Sequence, residues 1–340
     1  MRGLLIVNQH ATSMTGTVAD LAVRALAGLV DLDVEPTRYR GHARDLAAAT
    51  DADLVIVHGG DGSINEVVNG VMSRDGGGEA GGGERGRPLI AVIPGGGANV
   101  LARSLEVPID AAAAIRRLRE ALTAGRYRTI GLGLAGDRYF TFSAGLGMDA
   151  EVVGEVDRLR GEGRRESASL FLRTMVRYYY RGTDRRHPAL TLERDGEAPV
   201  GDLFMTIVTN RSPWTYLNSR AVLPVPHPDF SSGLDVLALR RLRLTTILNA
   251  VGQMLYIRSR PPRGRGLVSI LGSETLTVCS ARPIAFQVDG EYLGETEAVK
   301  FQFVPHALRI VTLSGGPLEP ARSSMATPRA KCDRSDIKFG

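Results

Sequence analysis

Apolar positions along this chain follow two different periods, and the change of period divides it. In the first part, short apolar runs alternate with segments whose apolar residues recur every three to four positions. Residues 3–7, 32–39, 53–57 and 89–93 are too short for helices and apolar enough to be buried strands. Between them, Val18, Leu21, Ala22, Ala25, Leu26 and Leu29 share one face of a helix over 17–29. Shorter helices are predicted over 43–49, 63–72 and 97–104. Strand and helix alternating through about the first 125 residues predict a parallel α/β sheet.

Beyond residue 130 the pattern shortens. Strands are predicted at 137–143, 189–194, 203–209, 234–239, 267–280, 284–288, 299–304 and 308–313, many separated only by turn residues. An antiparallel β-sandwich is the expectation, interrupted by helices at 150–159, 167–181 and 245–257. The domains are therefore drawn at 1–130 and 131–314. The glycine-rich stretch 74–87 reads as a flexible insertion and 315–340 as a disordered tail, because neither has an apolar period to bury.

Composition changes this picture in three ways. The net charge of +5 is carried almost wholly by arginine, since Lys300, Lys331 and Lys338 are the only lysines. Arginine suits phosphates and anionic surfaces through its bidentate fork; no recognisable nucleic-acid module accompanies it, so nucleic acid is set aside. Cys279 and Cys332 are far from any CxxC spacing, so neither a zinc site nor a disulfide framework is implied, which fits a reducing, cytoplasmic setting. The N-terminus lacks a signal-peptide pattern and no run reaches the length of a membrane span, so any work on lipid is expected to be peripheral.

Candidate chemistry begins at VHGGDGSINEVVNG, residues 57–70. The strand ends in Gly59, Gly60, Asp61 and Gly62, and a helix follows. Glycines let backbone N–H groups approach phosphate oxygens, and the helix N-terminus adds positive potential. Asp61 cannot attract phosphate; it fits a Mg²⁺ or the group receiving a phosphoryl. Ser63 and Glu66 have the spacing of a capping box, which competes with a ligand role for both. A second strand-to-helix turn holds Gly95, Gly96, Gly97 and Asn99. Two such turns on neighbouring parallel strands point to nucleotide phosphates at the carboxyl edge of the sheet.

These residues carry a resemblance. GGDGSINEVVNG, PGGGANVLARSL (94–105), FSAGLGMDAEVV (142–153) and QVDGEYLG (287–294) together resemble the diacylglycerol kinase catalytic-domain family, in order and spacing over most of residues 4–313. The resemblance implies a diacylglycerol kinase-like α/β domain, of the kind shared with NAD kinases, that binds ATP, and a β-sandwich that closes over a lipid. It places Asn8 and Thr12 in the first loop, where Gln9 and Thr12 depart from the family's N-P-x-A-G, and Thr37 near the nucleotide. Gly97 stands where the family usually carries threonine. Asp149 joins Asp61 around Mg²⁺. Asp235 falls in a segment that holds a structural metal in some bacterial members, here with Ser232 in place of one aspartate.

Phosphoryl transfer needs positioning, charge neutralisation and a destination for the acceptor's proton. By resemblance the base lies at Asp289 or Glu291, with Glu291 placed first; read without it, Asp289-Gly290 is a hairpin turn. Asp149 could equally cap the helix that follows it. His58 is expected to pack behind the glycine turn, and Trp214 and Tyr216 to line core or cleft. Two arginine-flanked amphipathic faces suit either an anionic membrane surface or core packing. One is Leu170, Phe171, Thr174, Met175, Tyr178 and Tyr179; the other is Leu244, Ile247, Leu248, Val251 and Leu255. A lipid kinase acting on diacylglycerol, using ATP and Mg²⁺, is the first reading; a homodimer is compatible with it. NAD kinase and a non-catalytic nucleotide- or lipid-binding regulator are the alternatives.

Overall fold

The computed structural model describes residues 1–9, 15–74, 86–162, 168–210, 213–217, 219–225, 233–256 and 260–313. Thr12, most of the 74–87 insertion and the 315–340 tail lie outside them.

In chain order the first lobe runs β1 (Arg2–Val7), α1 (Thr15–Leu26), β2 (Asp31–Pro36), α2 (His42–Ala49), β3 (Leu54–Gly59), α3 (Asp61–Ser73), β4 (Leu89–Pro94), α4 (Val100–Ser104) and α5 (Ala111–Thr123). The chain continues through β5 (Tyr127–Ala135), β6 (Arg138–Phe140), β7 (Ser143–Gly147), α6 (Met148–Gly161) and α7 (Ala168–Arg181). Then come β8 (Leu190–Glu193), β9 (Val200–Leu203), β10 (Met205–Thr209), β11 (Thr215–Leu217), β12 (Arg220–Val222) and β13 (Leu234–Leu239). Helix α8 (Leu244–Tyr256), β14 (Leu267–Ser273), β15 (Thr275–Val288) and β16 (Glu291–Val311) complete it.

The expected parallel sheet is present, with β1 central between β2 and β3, and β4 beyond β3. Its two faces are sorted by strand parity. Leu4, Ile6, Val55, Val57, Ile90 and Val92 pack against α2, α3 and α4. Leu5, Val7, Leu54, Ile56, Ala91 and Ile93 pack against α1 and α5. The remaining strands pair antiparallel, apart from one parallel contact of β16 with β4 at Ile310 and Ile90. Side chains from β5 to β10 and β13 to β16 fill one second core, as in a sandwich.

The two lobes are one hydrogen-bonded sheet, in the order β14-β13-β10-β7-β15-β16-β4-β3-β1-β2. The boundary drawn at 130 falls inside β5, and the end of β16 returns to the first lobe. Ala307, Leu308 and Ile310 sit in the core of the parallel sheet.

Two expected breaks are absent for a common reason. The segments 267–280 and 284–288 become β14 and a β15 that passes through Pro283, where the register against β16 shifts between Cys279 and Ile284. The segments 299–304 and 308–313 merge into β16, which passes Pro305 where its register against β5 shifts between Val304 and Leu308. A proline lacks the N–H a regular ladder needs, so it sits where pairing is interrupted without ending the strand.

Candidate active site

The carboxyl ends of β1, β3 and β4 bring the two glycine turns together. Gly95 N donates to Gly59 O at 2.9 Å. The backbones at Gly60 and Gly96 approach so closely that a Cβ on Gly96 would lie 2.6 Å from Gly60 Cα. Glycine is therefore required by contact between the turns themselves, before any ligand is considered. Asn99, in the left-handed region at φ 48°, closes the second turn: Gly96 N donates to its Oδ1 at 2.9 Å, and its Nδ2 donates to Gly96 O at 2.7 Å. That uses the Gly96 amide within the turn. By helix geometry, the N–H groups of Gly62 and Ser63 in the first turn of α3 point out along its axis without intrahelical acceptors.

Asp61 does not stand clear of the backbone as expected. Helix α3 begins at Asp61, with Gly60 as its N-cap and no side-chain cap. The Asp61 carboxylate accepts from Val100 N at 3.0 Å and Leu101 N at 3.1 Å, so it caps α4 and ties one turn to the other. No capping box forms. Ser63 Oγ accepts from Asn8 Nδ2 at 2.8 Å, while Glu66 leaves its own helix and accepts from Gly41 N at 2.9 Å and Ala43 N at 3.2 Å, capping α2. Thr37 follows β2, its N donating to Val7 O at 2.8 Å. His58 is fully buried with Nδ1 3.3 Å from Ile93 O, and burial lowers its pKa, as befits a packing residue.

The rest of the motif clasps the second lobe. Asn69 Nδ2 donates to Tyr139 O at 3.0 Å and its Oδ1 accepts from Tyr139 N at 2.9 Å. Asn65 Nδ2 donates to Tyr139 O and to Asp289 Oδ2, each at 2.9 Å. Gly70 lets α2 and α3 touch; a Cβ there would lie 2.2 Å from Arg44 O.

Asp289 and Glu291 arrive near α3 on the β15–β16 hairpin. Val288 pairs with Glu291 across a two-residue turn, and Asp289 (φ 47°) and Gly290 (φ 78°) are both left-handed, as an Asp-Gly hairpin requires. The hairpin reading and a placement beside α3 are thus both true. The buried Asp289 carboxylate accepts from Asn65 Nδ2, from Thr141 N and Oγ1 at 2.8 and 2.9 Å, and from Phe142 N and Ser143 N at 3.0 and 3.1 Å. Burial pushes its pKa up, against the pull of those donors. Five donors leave it little capacity to collect a further proton from a substrate. Glu291 is gripped by Arg40 from the first lobe and by Arg138 from β6. Neither arginine was singled out in the sequence. Arg138 Nε also donates to Asn65 Oδ1 at 2.9 Å, and that spacing offers no local sequence signal.

Asp149 is a different kind of carboxylate. It lies in the first turn of α6, buried, and accepts from Gln287 Nε2 at 2.7 Å; burial pushes its pKa up to about 6. Gln287 Oε1 in turn accepts from Gly290 N at 2.9 Å, so Asp149 is linked to the 288–291 turn. Gly145 makes room for it: a Cβ there would lie 1.9 Å from Asp149 Oδ2. Asp149 also forms part of the wall of a cavity of about 70 Å³ whose remaining lining is apolar, including Met148, Met175, Met205, Met254 and Trp214.

The three acids expected to hold metal do different work. Asp61 caps α4, Asp149 faces the cavity, and Asp235 in β13 accepts from Gly272 N at 2.8 Å across to β14. Among the described residues no three His, Cys, Asp or Glu side chains gather. Neither the Mg²⁺ expected between Asp61 and Asp149 nor the separate structural metal expected at Asp235 has a cluster of three such side chains around it among the described residues. Asp61 alone fits a Mg²⁺ that arrives with most of its ligands on triphosphate oxygens and water.

Residues 2–130, which hold both glycine turns, match the sequence profile described as the diacylglycerol kinase catalytic domain. The match covers the first lobe and the start of β5. Diacylglycerol kinase of Bacillus subtilis (strain 168) is 31% identical over 175 residues, which are 49% of this chain and 50% of that one. The chain thus spans half the length of that relative. Diacylglycerol kinase of Staphylococcus carnosus (strain TM300) is 27% identical over 263 residues, 74% of each chain. A crystal structure of a diacylglycerol kinase from Bacillus anthracis str. Sterne superimposes with a TM-score of 0.64 at 20% identity, covering 92% of this chain and 96% of that one. The likeness shows that the diacylglycerol kinase fold includes the second lobe as well as the catalytic domain.

Proposed function

We propose that the chain is a lipid kinase that moves the γ-phosphoryl group of ATP to the hydroxyl of a membrane lipid, diacylglycerol being the first candidate. The observation that carries this reading is Asp149: a buried carboxyl with a pKa of about 6 on the wall of an apolar cavity, tied through Gln287 to the hairpin that α3 clasps. A carboxylate poised near neutral pH beside apolar walls suits an alcohol carried on a hydrocarbon.

In this reading the triphosphate lies along the first turn of α3 and the glycine turn after β4, where main-chain N–H groups and the helix dipole offset its charge. A Mg²⁺ held by Asp61 neutralises phosphate charge when bound. The acceptor oxygen attacks the γ-phosphorus, the bond from phosphorus to the β–γ bridging oxygen breaks, ADP leaves, and the hydroxyl proton passes to Asp149. Asp289 holds the strands that frame the site and is a positioning residue. Glu291 keeps Arg40 and Arg138 together across the lobes. This replaces the base assignment expected from the sequence with one that has a free face and a suitable pKa. A cytoplasmic enzyme visiting the membrane surface fits the lack, among the described residues, of any helix long and apolar enough to cross a membrane.

The test is radiolabelled ATP with total lipid extract, and separately with NAD, using wild type and Asp149→Asn. Labelled lipid from wild type, reduced at least a hundredfold in the variant, is the expected result. Wild-type activity should also rise with pH through about 6. Label entering NAD instead, or undiminished lipid labelling by Asp149→Asn, would overturn the reading.

A further inference from the structure

Helix α8 is apolar on two faces. Ile247, Ala250 and Met254 line the cavity beside Asp149. Leu244 and Leu248 face solvent, Leu248 at 61% exposure, with Val251 at the rim between the two faces. Tyr256 at the end of α8 is 70% exposed, and Val176 and Tyr180 on α7 are also open. Such a row on a water-soluble surface calls for a partner.

Beside it lies an open pocket of about 590 Å³ lined by Arg185, Arg241 and Arg243 with Tyr179 and Phe204, and it shares Leu242 with the apolar cavity. The Arg185 guanidinium is 4.7 Å from the Tyr179 ring centre, which orients it on the pocket wall. Among the described residues none of these three arginines has a carboxylate partner. Residues 240–266 hold seven arginines and no acidic residue, and α7 holds no acidic residue either. A second copy of this chain would oppose like charge with like charge. Phosphate-bearing lipid matches both halves of the surface.

We propose that the α7–α8 face docks on an anionic bilayer, with lipid phosphates among Arg185, Arg241 and Arg243 and with Leu244, Leu248 and Tyr256 entering the acyl region. This rests on the lipid-kinase reading for its purpose, though not for its test. Docked this way, α7 and α8 lie between the bilayer and the cavity, and an acceptor lipid enters beside them without crossing water. Aromatic and aliphatic side chains at the interface plus a basic rim are the two signals that stable peripheral binding needs.

The experiment is sedimentation of the full chain with phosphatidylcholine vesicles, with or without phosphatidylglycerol. Wild type is compared with Arg241→Gln/Arg243→Gln, with Leu248→Ser, and with Arg24→Gln/Arg116→Gln, two exposed arginines on α1 and α5. Wild type should bind the anionic vesicles alone. The Arg241/Arg243 variant should lose about fivefold per charge, roughly thirtyfold together. Leu248→Ser should also weaken binding and carries the test if the double variant melts early. Equal loss in the α1/α5 variant would reduce the effect to bulk charge and overturn the proposal. So would equal binding to neutral vesicles, no vesicle binding, or capture by an acidic protein without vesicle binding. Phosphoryl transfer to diacylglycerol in detergent micelles, read on the same samples, separates the two claims. Transfer without vesicle binding sinks the docking face alone; vesicle binding without transfer to diacylglycerol or to total lipid extract sinks the kinase reading alone.

Discussion

Asp149 and Asp289 are both buried carboxylates in the second lobe, yet their surroundings divide their labour. Asp289 meets five donors, so its charge is used to hold the 141–143 backbone between β6 and β7 and the Asn65 amide of α3 in place. Asp149 has a donor in Gln287 and an apolar cavity on another side, so burial dominates and raises its pKa to about 6. The sign of the consequence follows. An acid whose folded pKa exceeds its unfolded value stabilises the fold below the unfolded pKa and loses that contribution as pH rises through the folded one. Wild type should therefore lose about 2 kcal/mol more than Asp149→Asn between pH 4 and pH 6, seen in urea unfolding at each pH. Asp289 shifts in the same direction, so some slope persists in the variant. Equal slopes for both proteins would show that Asp149 does not titrate high.

At the scale of elements, the NEVVNG run, residues 65–70, shows how one helix can organise two neighbours. Asn65 and Asn69 hold β6, Glu66 caps α2, and Gly70 admits α2 at contact distance. Gly70→Ala should cost about 1–3 kcal/mol by forcing the α2–α3 contact apart, seen as a lower Tm; no shift would mean that the helices are not in contact. The order of parallel strands and helices was legible because burial on both faces leaves continuous apolar runs. The helix at α5 went unread, although Asp110 caps it and accepts from Ala113 N at 2.8 Å. The lengths of β15 and β16 were hidden by Pro283 and Pro305, which mark interruptions of pairing that a sequence cannot distinguish from strand ends. The site divided in the same way. Both glycine turns were visible from composition and spacing, whereas Arg40, Arg138 and Gln287 enter through contacts between residues far apart in the chain.

For the whole molecule, the joint between lobes is a set of side-chain clasps laid over a continuous sheet. Glu291 binds Arg40 and Arg138, Asp289 binds Asn65, and the Arg103 guanidinium of α4 lies 3.5 Å from the ring centre of Tyr216 in β11. Beneath them β16 places Ala307, Leu308 and Ile310 in the first lobe's core. A fragment ending at residue 130 lacks those side chains. It should show no cooperative thermal transition by circular dichroism, and a sharp transition would refute the dependence. The return of β16 to β4 also fixes a sequence of events during synthesis. Ile90 emerges from the ribosome early, but its neighbour Ile310 is nearly the last described residue to appear. Through that interval the nascent first lobe carries an uncovered strand edge, a surface on which a chaperone or another unfinished chain can settle.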